Sequence, residues 1–118
     1  MRCRILTILA VAASLPAAVA SAASSSGPNR ITTLLPLANG IVLFYIETPR
    51  STTNIPTCGT GEPSRWALRA NTLNGQSQLF VLLKAYSMGK RITIYGLSGD
   101  SCSARADTET VDYFVTEN

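Results

Sequence analysis

The chain has 118 residues, of which 46% are hydrophobic and 14% are charged, and it contains no histidine. A chain without histidine lacks the commonest general base and metal ligand, which excludes Ser-His-Asp and Cys-His catalytic sites. The formal net charge is +3, but two of the ten basic residues, Arg2 and Arg4, lie in a predicted leader. Without them, eight basic residues balance seven acidic ones. This near-neutral balance gives no electrostatic support to nucleic-acid binding.

Residues 1–22 have the pattern of a secretory signal peptide. A basic start precedes the apolar run Ile5–Val19, and the small residues Ala20-Ser21-Ala22 form a cleavage site. The apolar run is short for a bilayer span and is interrupted by serine and proline, so a retained membrane anchor is the weaker alternative. We therefore predict a secreted or periplasmic protein without a membrane span in its mature chain.

Removal of the leader takes Cys3 away and leaves two cysteines, Cys58 and Cys102. Because cysteines of exported proteins are usually oxidised, we predict one disulfide between them. In the chain-entropy treatment such a bond contributes on the order of 4 kcal/mol to stability. With both thiols paired and no zinc-type spacing, we expect neither a thiol nucleophile nor a metal site.

The mature chain begins with small polar residues, 23–29, which we expect to be flexible, and a single domain should occupy 30–118. Two β-prone runs, Ile31–Leu37 and Ile41–Thr48, flank Asn39-Gly40 and predict a hairpin. The second run is apolar at successive positions. It is therefore predicted to be a central strand that is covered on both faces.

A polar loop, Pro49–Pro63, leads to a third predicted strand, Ser64–Ala70. In this strand Trp66 is one of the alternate positions that are apolar, and the positions between them include Arg65 and Arg69. We predict that the apolar positions, with Trp66, face the core and that the basic positions face outward.

One helix is predicted after this strand. Asn71 or Thr72 can cap its start, and Gly89 can end it. The predicted core-facing stripe, spaced i, i+3, i+4 and i+7, consists of Leu79, Leu82, Leu83 and Tyr86. Other apolar side chains lie off the stripe: Phe80, Val81, Ala85 and Met88. Either another subunit contacts this second apolar face or a small barrel covers it, and the sequence leaves both open.

After the helix the hydrophobic period returns to two. A fourth strand follows near residues 91–95, and its outward parity consists of Arg91, Thr93 and Tyr95. A fifth strand is predicted over Thr110–Thr116. The order strand-strand-strand-helix-strand-strand predicts a mainly β fold with one helix, arranged as a five-stranded OB-type barrel.

The outward positions of the third and fourth strands predict a ligand-binding surface. Its members are Arg65, Arg69, Arg91, Thr93 and Tyr95, to which the loop after the second strand adds Thr48 and Ser51. Such residues can hydrogen-bond and stack on a sugar, and arginine offers a planar fork to a carboxylate. Solubilising arginines and an ordinary polar turn are the alternatives.

Acidic residues cluster late in the chain: Asp100, Asp107, Glu109 and Asp112. They could form a carboxylate pair for hydrolysis or a calcium site, but a solvated loop and strand edge is the simpler interpretation. Gly59-Thr60-Gly61 alone is no nucleotide-binding pattern, so no cofactor is expected.

Three short segments resemble a known family. They are Phe44–Thr48, the Trp66 segment before the helix, and Ala85–Gly89 leading into Arg91–Ile94. Together they look like the B subunits of the subtilase-cytotoxin type. The resemblance implies an OB fold, a pentameric ring, and binding to cell-surface glycans, often sialylated, for delivery of an enzymatic A subunit.

This chain departs from the family at Tyr45, where the family has a cysteine within the second strand, so its disulfide would be arranged differently. The site residues named above therefore follow from surface position alone. We expect a non-enzymatic, glycan-binding homo-oligomer, with an A subunit as a further partner. The alternative is a periplasmic protein-interaction module or inhibitor with an OB fold, and a hydrolase using Asp107 or Glu109 is a third class.

Overall fold

A computed structural model describes residues 23–117. The predicted leader, residues 1–22, lies outside the described residues. The strands are β1 (Ser25–Asn29), β2 (Ile31–Pro36), β3 (Ile41–Ile46), β4 (Arg65–Arg69), β5 (Ile92–Gly96) and β6 (Val111–Thr116), and the helix α1 (Leu73–Met88) lies between β4 and β5. Two short 3-10 helices, Thr52–Asn54 and Thr57–Gly59, lie between β3 and β4. The predicted mainly β fold with one helix is confirmed.

The first strand replaces most of the flexible segment that we predict for residues 23–29. Ser25–Asn29 forms β1 and pairs antiparallel with β5, with Ser25 opposite Tyr95. The segment has no apolar alternation to indicate a strand, and its pairing with β5 satisfies backbone groups that would otherwise need water. The described chain therefore has six strands instead of the five predicted.

The six strands form two antiparallel sheets, ordered β1-β5-β6 and β2-β3-β4. One parallel bridge joins Ala67 of β4 to Thr110, just before β6. The helix contacts β2, β4 and β6. Over residues 23–117 the strands do not close into one barrel, so the predicted five-stranded OB-type barrel is not confirmed.

The central strand β3 is covered on both faces, as its apolar sequence predicts. On one face Phe44 and Trp66, both 0% exposed, lie in the main core with Leu82 of the helix. A smaller cluster on the other face consists of Ile41, Leu43 and Ala67. The connection between β5 and β6 contributes Ala104 to this second cluster, so it packs on the side of β4 that we expect to face outward.

The helix has the predicted ends. Thr72 is the N-cap, and its hydroxyl accepts a hydrogen bond of 2.9 Å from the backbone N–H of Gly75. Gly89 follows the last turn with a φ of 61°, a left-handed conformation that favours glycine. The predicted core stripe is only partly buried, because Leu82 is 0% exposed whereas Leu83 and Tyr86 are 46% and 44% exposed.

The apolar side chains on the outer face of α1 are open to solvent. Leu73, Phe80 and Met88 are 83%, 70% and 55% exposed. The described chain therefore does not cover this face as a small closed barrel would. Lys84 is the one charged residue within the helix.

The predicted disulfide between Cys58 and Cys102 is present, with the two Cα atoms 6.3 Å apart. It joins the β3–β4 connection to the β5–β6 connection. Within residues 23–117, no helix combines the length and the apolar character needed to cross a membrane.

Candidate ligand-binding site

The basic parity of β4 is not the open surface that we predict. Arg65 is only 8% exposed, and its Nε donates a 2.8 Å hydrogen bond to the hydroxyl of Thr108. Its Nη2 lies 3.1 Å from a carboxylate oxygen of Asp107. The β5–β6 connection thus folds over β4, and its residues bind the guanidinium that we expect to contact a ligand.

The charge of Arg65 is stabilised where it lies. Burial alone would lower the pKa of Arg65, but a hydrogen bond with Tyr45 and the charges of Asp107 and Glu62 raise the pKa above its ordinary value. Arg65 is therefore a structural cation of the fold. It lies on β4 and interacts with Tyr45 of β3 and Asp107 of the β5–β6 connection.

The other predicted strand residues are divided between the two sheets. Arg69 is half-buried on β4, whereas Thr93 and Tyr95 are half-buried on β5 and Arg91 is exposed just before it. Tyr95 stacks on Tyr113 of β6, with ring centroids 4.6 Å apart and planes 13° apart. The five strand positions therefore do not form one surface. What the structure supplies instead is a tyrosine pair beside β1.

The two predicted loop residues lie in a cleft. Thr48 and Ser51 line an open space of about 310 Å³ between β1 and the connection that follows β3. The polar side chains around it are Ser25, Ser26, Asn29, Thr48, Ser51 and Asn54. Its volume is at the lower end of the range found for small-ligand sites.

The wall of this cleft is fixed by Asn29. The Nδ2 of Asn29 donates to the carbonyl of Thr48 at 2.9 Å, and the N–H of Thr48 donates to the Oδ1 of Asn29 at 3.0 Å. This pair of bonds ties β1 to the chain after β3. Asn29 thereby positions the cleft while its own amide is already engaged.

Ser26 provides an unused polar group at the cleft. It is 4% exposed, and its hydroxyl has no hydrogen-bond partner among the described residues. Leaving a buried hydroxyl without a partner costs about 1–3 kcal/mol. A ligand hydroxyl in the cleft would offer Ser26 both a donor and an acceptor.

Arg50 forms the base of the cleft and is paired with a buried carboxylate. The side chains of Arg50 and Glu109 are 4% and 0% exposed, and they form an ion pair through Nη1 and Oε1. The N–H of Ser24 donates to Oε2 of Glu109 at 3.0 Å, and the hydroxyl of Ser24 donates to Oε1. The carboxylate of Glu109 is thus bound by both Ser24 and Arg50.

The remaining donors of Arg50 bind backbone carbonyls. Its Nε and Nη2 donate to the carbonyls of Pro63 and Arg65, both at 2.9 Å. Its guanidinium carbon lies 4.0 Å from the ring centroid of Trp66, a cation-π contact. Burial lowers the pKa of Arg50, and the charge of Glu109 opposes that shift.

Gly96 makes room for the carboxylate of Glu109. A Cβ atom at residue 96 would lie 2.0 Å from Oε2 of Glu109. The N–H of Gly96 also donates to the carbonyl of Ser24 at 2.8 Å. The close approach of these three residues needs a position without a side chain.

The solvated interpretation of the acidic cluster is therefore wrong for Glu109, although Asp100, Asp107 and Asp112 are exposed as predicted. Alternation in the sequence does not indicate this burial, because Thr108, Glu109 and Thr110 are buried at successive positions. Within residues 23–117, no group of three or more metal-ligating side chains lies together. Trp66 is buried in the core, as predicted.

Comparison with known protein families finds no matching family model, and comparisons with curated proteins and with solved structures find no match either.

Proposed function

We propose that this chain is an exported, non-enzymatic subunit that binds cell-surface glycans as a homo-oligomer, in the manner of the toxin B subunits it resembles. The disulfide between Cys58 and Cys102 supports the export route, since such bonds persist in oxidising compartments. We further propose that the two sheets represent an OB-type fold with an added N-terminal strand.

The polar cleft carries the glycan proposal. Sugar recognition uses hydroxyl and amide groups that both donate and accept, and the cleft presents these at Ser51 and Asn54, with the buried hydroxyl of Ser26 in its wall. The hydroxyl of Ser26 supports ligand binding most directly, because it is buried and unpartnered. Beside the cleft, Ser25 lies opposite Tyr95, whose ring stacks on that of Tyr113 and offers an aromatic surface to a sugar ring.

The outer face of α1 supports the oligomer. A monomer rarely leaves large apolar side chains clustered in water, and Leu73, Phe80 and Met88 are all more than half exposed. A second copy of this chain would cover them, and the near-neutral charge of the mature chain does not oppose self-association. An enzymatic A subunit is the further partner that this proposal implies.

A glycan array and light scattering test the proposal on the mature chain. Wild type should bind glycans as an oligomer, and Ser26→Ala should weaken glycan binding about tenfold, the equivalent of one hydrogen bond. Ser98→Ala, at an exposed turn outside the cleft, is the matched control and should bind normally. A monomer that binds no glycan would contradict the proposal.

A second candidate is a protein-interaction module or inhibitor, which one groove favours. This groove, of about 320 Å³, lies between the C-terminal half of α1 and the strands β5 and β6. Phe80, Val81 and Met88 provide apolar surface, and three cations face one acidic residue at its edge: Lys84, Lys90, Arg91 and Glu117. Such a groove suits an acidic, partly apolar protein segment. Co-purification of a stoichiometric partner other than an A chain would favour this candidate.

A further inference from the structure

We propose that the cleft binds the acylamino group of an amino sugar, such as N-acetylglucosamine, by pairing this amide with the outer edge of β1. This inference rests on the proposed glycan-binding function and names the chemical group that the ligand must carry. It follows from the backbone of β1, since all five residues of that strand line the cleft.

β1 is an edge strand, and its outer side faces the cleft. In the order β1-β5-β6 it pairs with β5 on one side, and within residues 23–117 no strand lies on its other side. The lining of the cleft comes from β1 and from the connection that follows β3, which places the cleft on that outer side. The backbone at the outer edge of β1 is therefore part of the cleft wall.

The ladder with β5 determines which backbone groups of β1 point outward. The N–H of Gly96 donates to the carbonyl of Ser24 at 2.8 Å. Ser25, the next residue, is opposite Tyr95. Hydrogen-bonded and non-hydrogen-bonded pairs alternate in an antiparallel ladder, so the pair of Ser25 and Tyr95 is non-hydrogen-bonded. The N–H and the carbonyl of Ser25 therefore point away from β5, and together they match the carbonyl and the N–H of a ligand amide.

Gly27 leaves the approach to this edge open. Gly27 and Pro28 have no partner in the register with β5, which shifts between Ser26 and Asn29. A Cβ atom at residue 27 would meet no atom within 4 Å, so the space beside the backbone is free. Close approach of a ligand to backbone groups is one of the uses of glycine in a strand.

The free edge has room for one amide but not for a peptide strand. Strand addition needs N–H and carbonyl groups at a series of alternate residues. Pro28 has no N–H, and the side-chain amide of Asn29 already forms two hydrogen bonds with the backbone of Thr48. Asn29 thus shows, at the closed end of the cleft, the same two-bond pairing of amide and backbone that we propose for the ligand at Ser25.

The rest of the lining suits the other parts of an acylamino sugar. Pro28 and Pro49 are exposed and offer apolar contact to the methyl group of an acetyl. Ser51 and Asn54 are also exposed and can bind the ring hydroxyls. A hydroxyl in place of the acylamino group has one polar atom instead of two and no methyl group, so it replaces only part of these contacts.

The required group occurs in both neutral and acidic sugars. N-acetylglucosamine and N-acetylgalactosamine carry it without a charge, and sialic acids carry it beside a carboxylate. The inference therefore agrees with the resemblance to toxin B subunits, while the contact that it names is with the amide of the sugar.

The test compares pairs of sugars that differ only in this group, presented on the same linker to the mature chain. The pairs are N-acetylglucosamine with glucose, N-acetylgalactosamine with galactose, and N-acetylneuraminic acid with the sialic acid that has a hydroxyl in place of its acylamino group. In each pair that binds, the acylamino member should bind about tenfold more tightly, the equivalent of one hydrogen bond. Equal binding within the pairs, or binding of the hydroxyl members alone, would overturn this inference and leave the glycan-binding function standing. Absence of binding across a whole glycan array, these sugars included, would overturn the function and this inference with it.

Two substitutions at Ser25 separate its backbone from its side chain. Ser25→Ala removes the hydroxyl and keeps the N–H, whereas Ser25→Pro removes both. Proline is tolerated at the first residue of an edge strand whose nitrogen faces away from its partner, so both variants should keep the thermal midpoint of wild type.

Ser25→Pro should bind the acylamino sugars about tenfold more weakly than Ser25→Ala does, because it lacks one backbone donor. The two variants should bind any hydroxyl member with more similar affinities. Equal affinity of the two variants for the acylamino sugars would overturn the role of the outer edge. If Ser25→Pro unfolds at a lower temperature than wild type, the paired sugars measured on wild type still decide the inference.

Discussion

The base of the cleft and the outer face of α1 reverse the usual distribution of side chains. Glu109 and the side chain of Arg50 are 0% and 4% exposed, whereas Leu73 and Phe80 on the helix are 83% and 70% exposed. A charged pair lies inside this protein while large apolar groups lie outside. Small domains bury only part of their apolar surface, so which groups are buried depends on what covers them.

The difference between the two regions is the presence of partners. Glu109 is buried because Ser24 and Arg50, from distant parts of the chain, reach its carboxylate. The outer face of α1 has no such element folded over it in residues 23–117. Burial at the first region is completed within one chain, and we propose that a second copy completes it at the other.

Breaking the buried pair should have the largest effect. Glu109→Leu leaves the cation of Arg50 buried and unpaired, and we expect a loss of about 3–5 kcal/mol in the free energy of unfolding. Denaturant titration of the mature chain measures the loss.

The double variant Arg50→Met with Glu109→Leu is the control for this prediction. It removes both charges, so it should recover a large part of the lost stability, although Ser24 still lacks its acceptor. If Glu109→Leu alone is as stable as wild type, the pair is not a buried structural element and the contrast with the helix fails.

Reduction of the disulfide should cause the second-largest loss of stability. The bond closes a sequence separation of 44 residues, for which the chain-entropy treatment gives about 4 kcal/mol as an upper expectation. It also holds the β5–β6 connection over β4, so Cys58→Ala with Cys102→Ala should loosen the segment that carries Glu109. Thermal unfolding with and without reductant measures this effect. An unchanged midpoint would show that packing alone holds the connection in place.

Two substitutions on α1, one at a buried and one at an exposed apolar residue, test whether the outer face of the helix is left uncovered in the monomer. Leu82→Ala, at a residue that is 0% exposed, should cost about 2–5 kcal/mol. Phe80→Ser, at a residue that is 70% exposed, should change the stability of the monomer by less than about 0.5 kcal/mol. Light scattering should show that Phe80→Ser weakens self-association. A large loss of monomer stability would mean that this face is covered within the chain.

The smallest expected effect concerns the exposed partner of Arg65. Slight desolvation acts to raise the pKa of Asp107, but the hydrogen bond from Thr108 and the charges of Arg65 and Arg105 lower it overall. This carboxylate therefore contributes stability above its unfolded pKa of about 3.9, and the contribution is lost as the pH falls through the lower folded value.

Asp107→Asn should thus flatten the loss of stability below about pH 4, measured as the thermal midpoint between pH 6 and pH 2. The effect should be small, because the side chain of Asp107 is 62% exposed and water screens its charge. Identical slopes for the variant and wild type would contradict the assigned pairing with Arg65.

Local pattern predicts the regular elements of this protein. Two β-prone runs around Asn39-Gly40 indicate β2 and β3, and alternating apolar positions indicate β4, β5 and β6. Thr72 and Gly89 mark the ends of α1 because caps are local chemistry. β1 has no such pattern, since Ser25–Asn29 contains only small and polar residues and proline. Its strand conformation depends on pairing with β5, which is distant in sequence.

The candidate site depends on long-range contacts, and the sequence predicts less of it. Thr48 and Ser51 lie in the cleft, as a polar loop beside a central strand suggests. Arg65 is covered, because alternation separates the two faces of a strand but does not reveal which loop folds over a face. Ser24 and Arg50 meet Glu109 across 85 and 59 residues of sequence, a distance at which no local signal operates.

The position of Glu109 also determines how the domain unfolds. Its carbonyl accepts from the N–H of Ala67 at 2.9 Å in one sheet, while its carboxylate holds Ser24, whose carbonyl accepts from Gly96 in the other. One residue therefore couples two sheets that otherwise share few backbone bonds. Amide hydrogens of β1 and β4 should exchange with solvent at a common rate set by global opening, and loss of this carboxylate should separate them into two independently opening units.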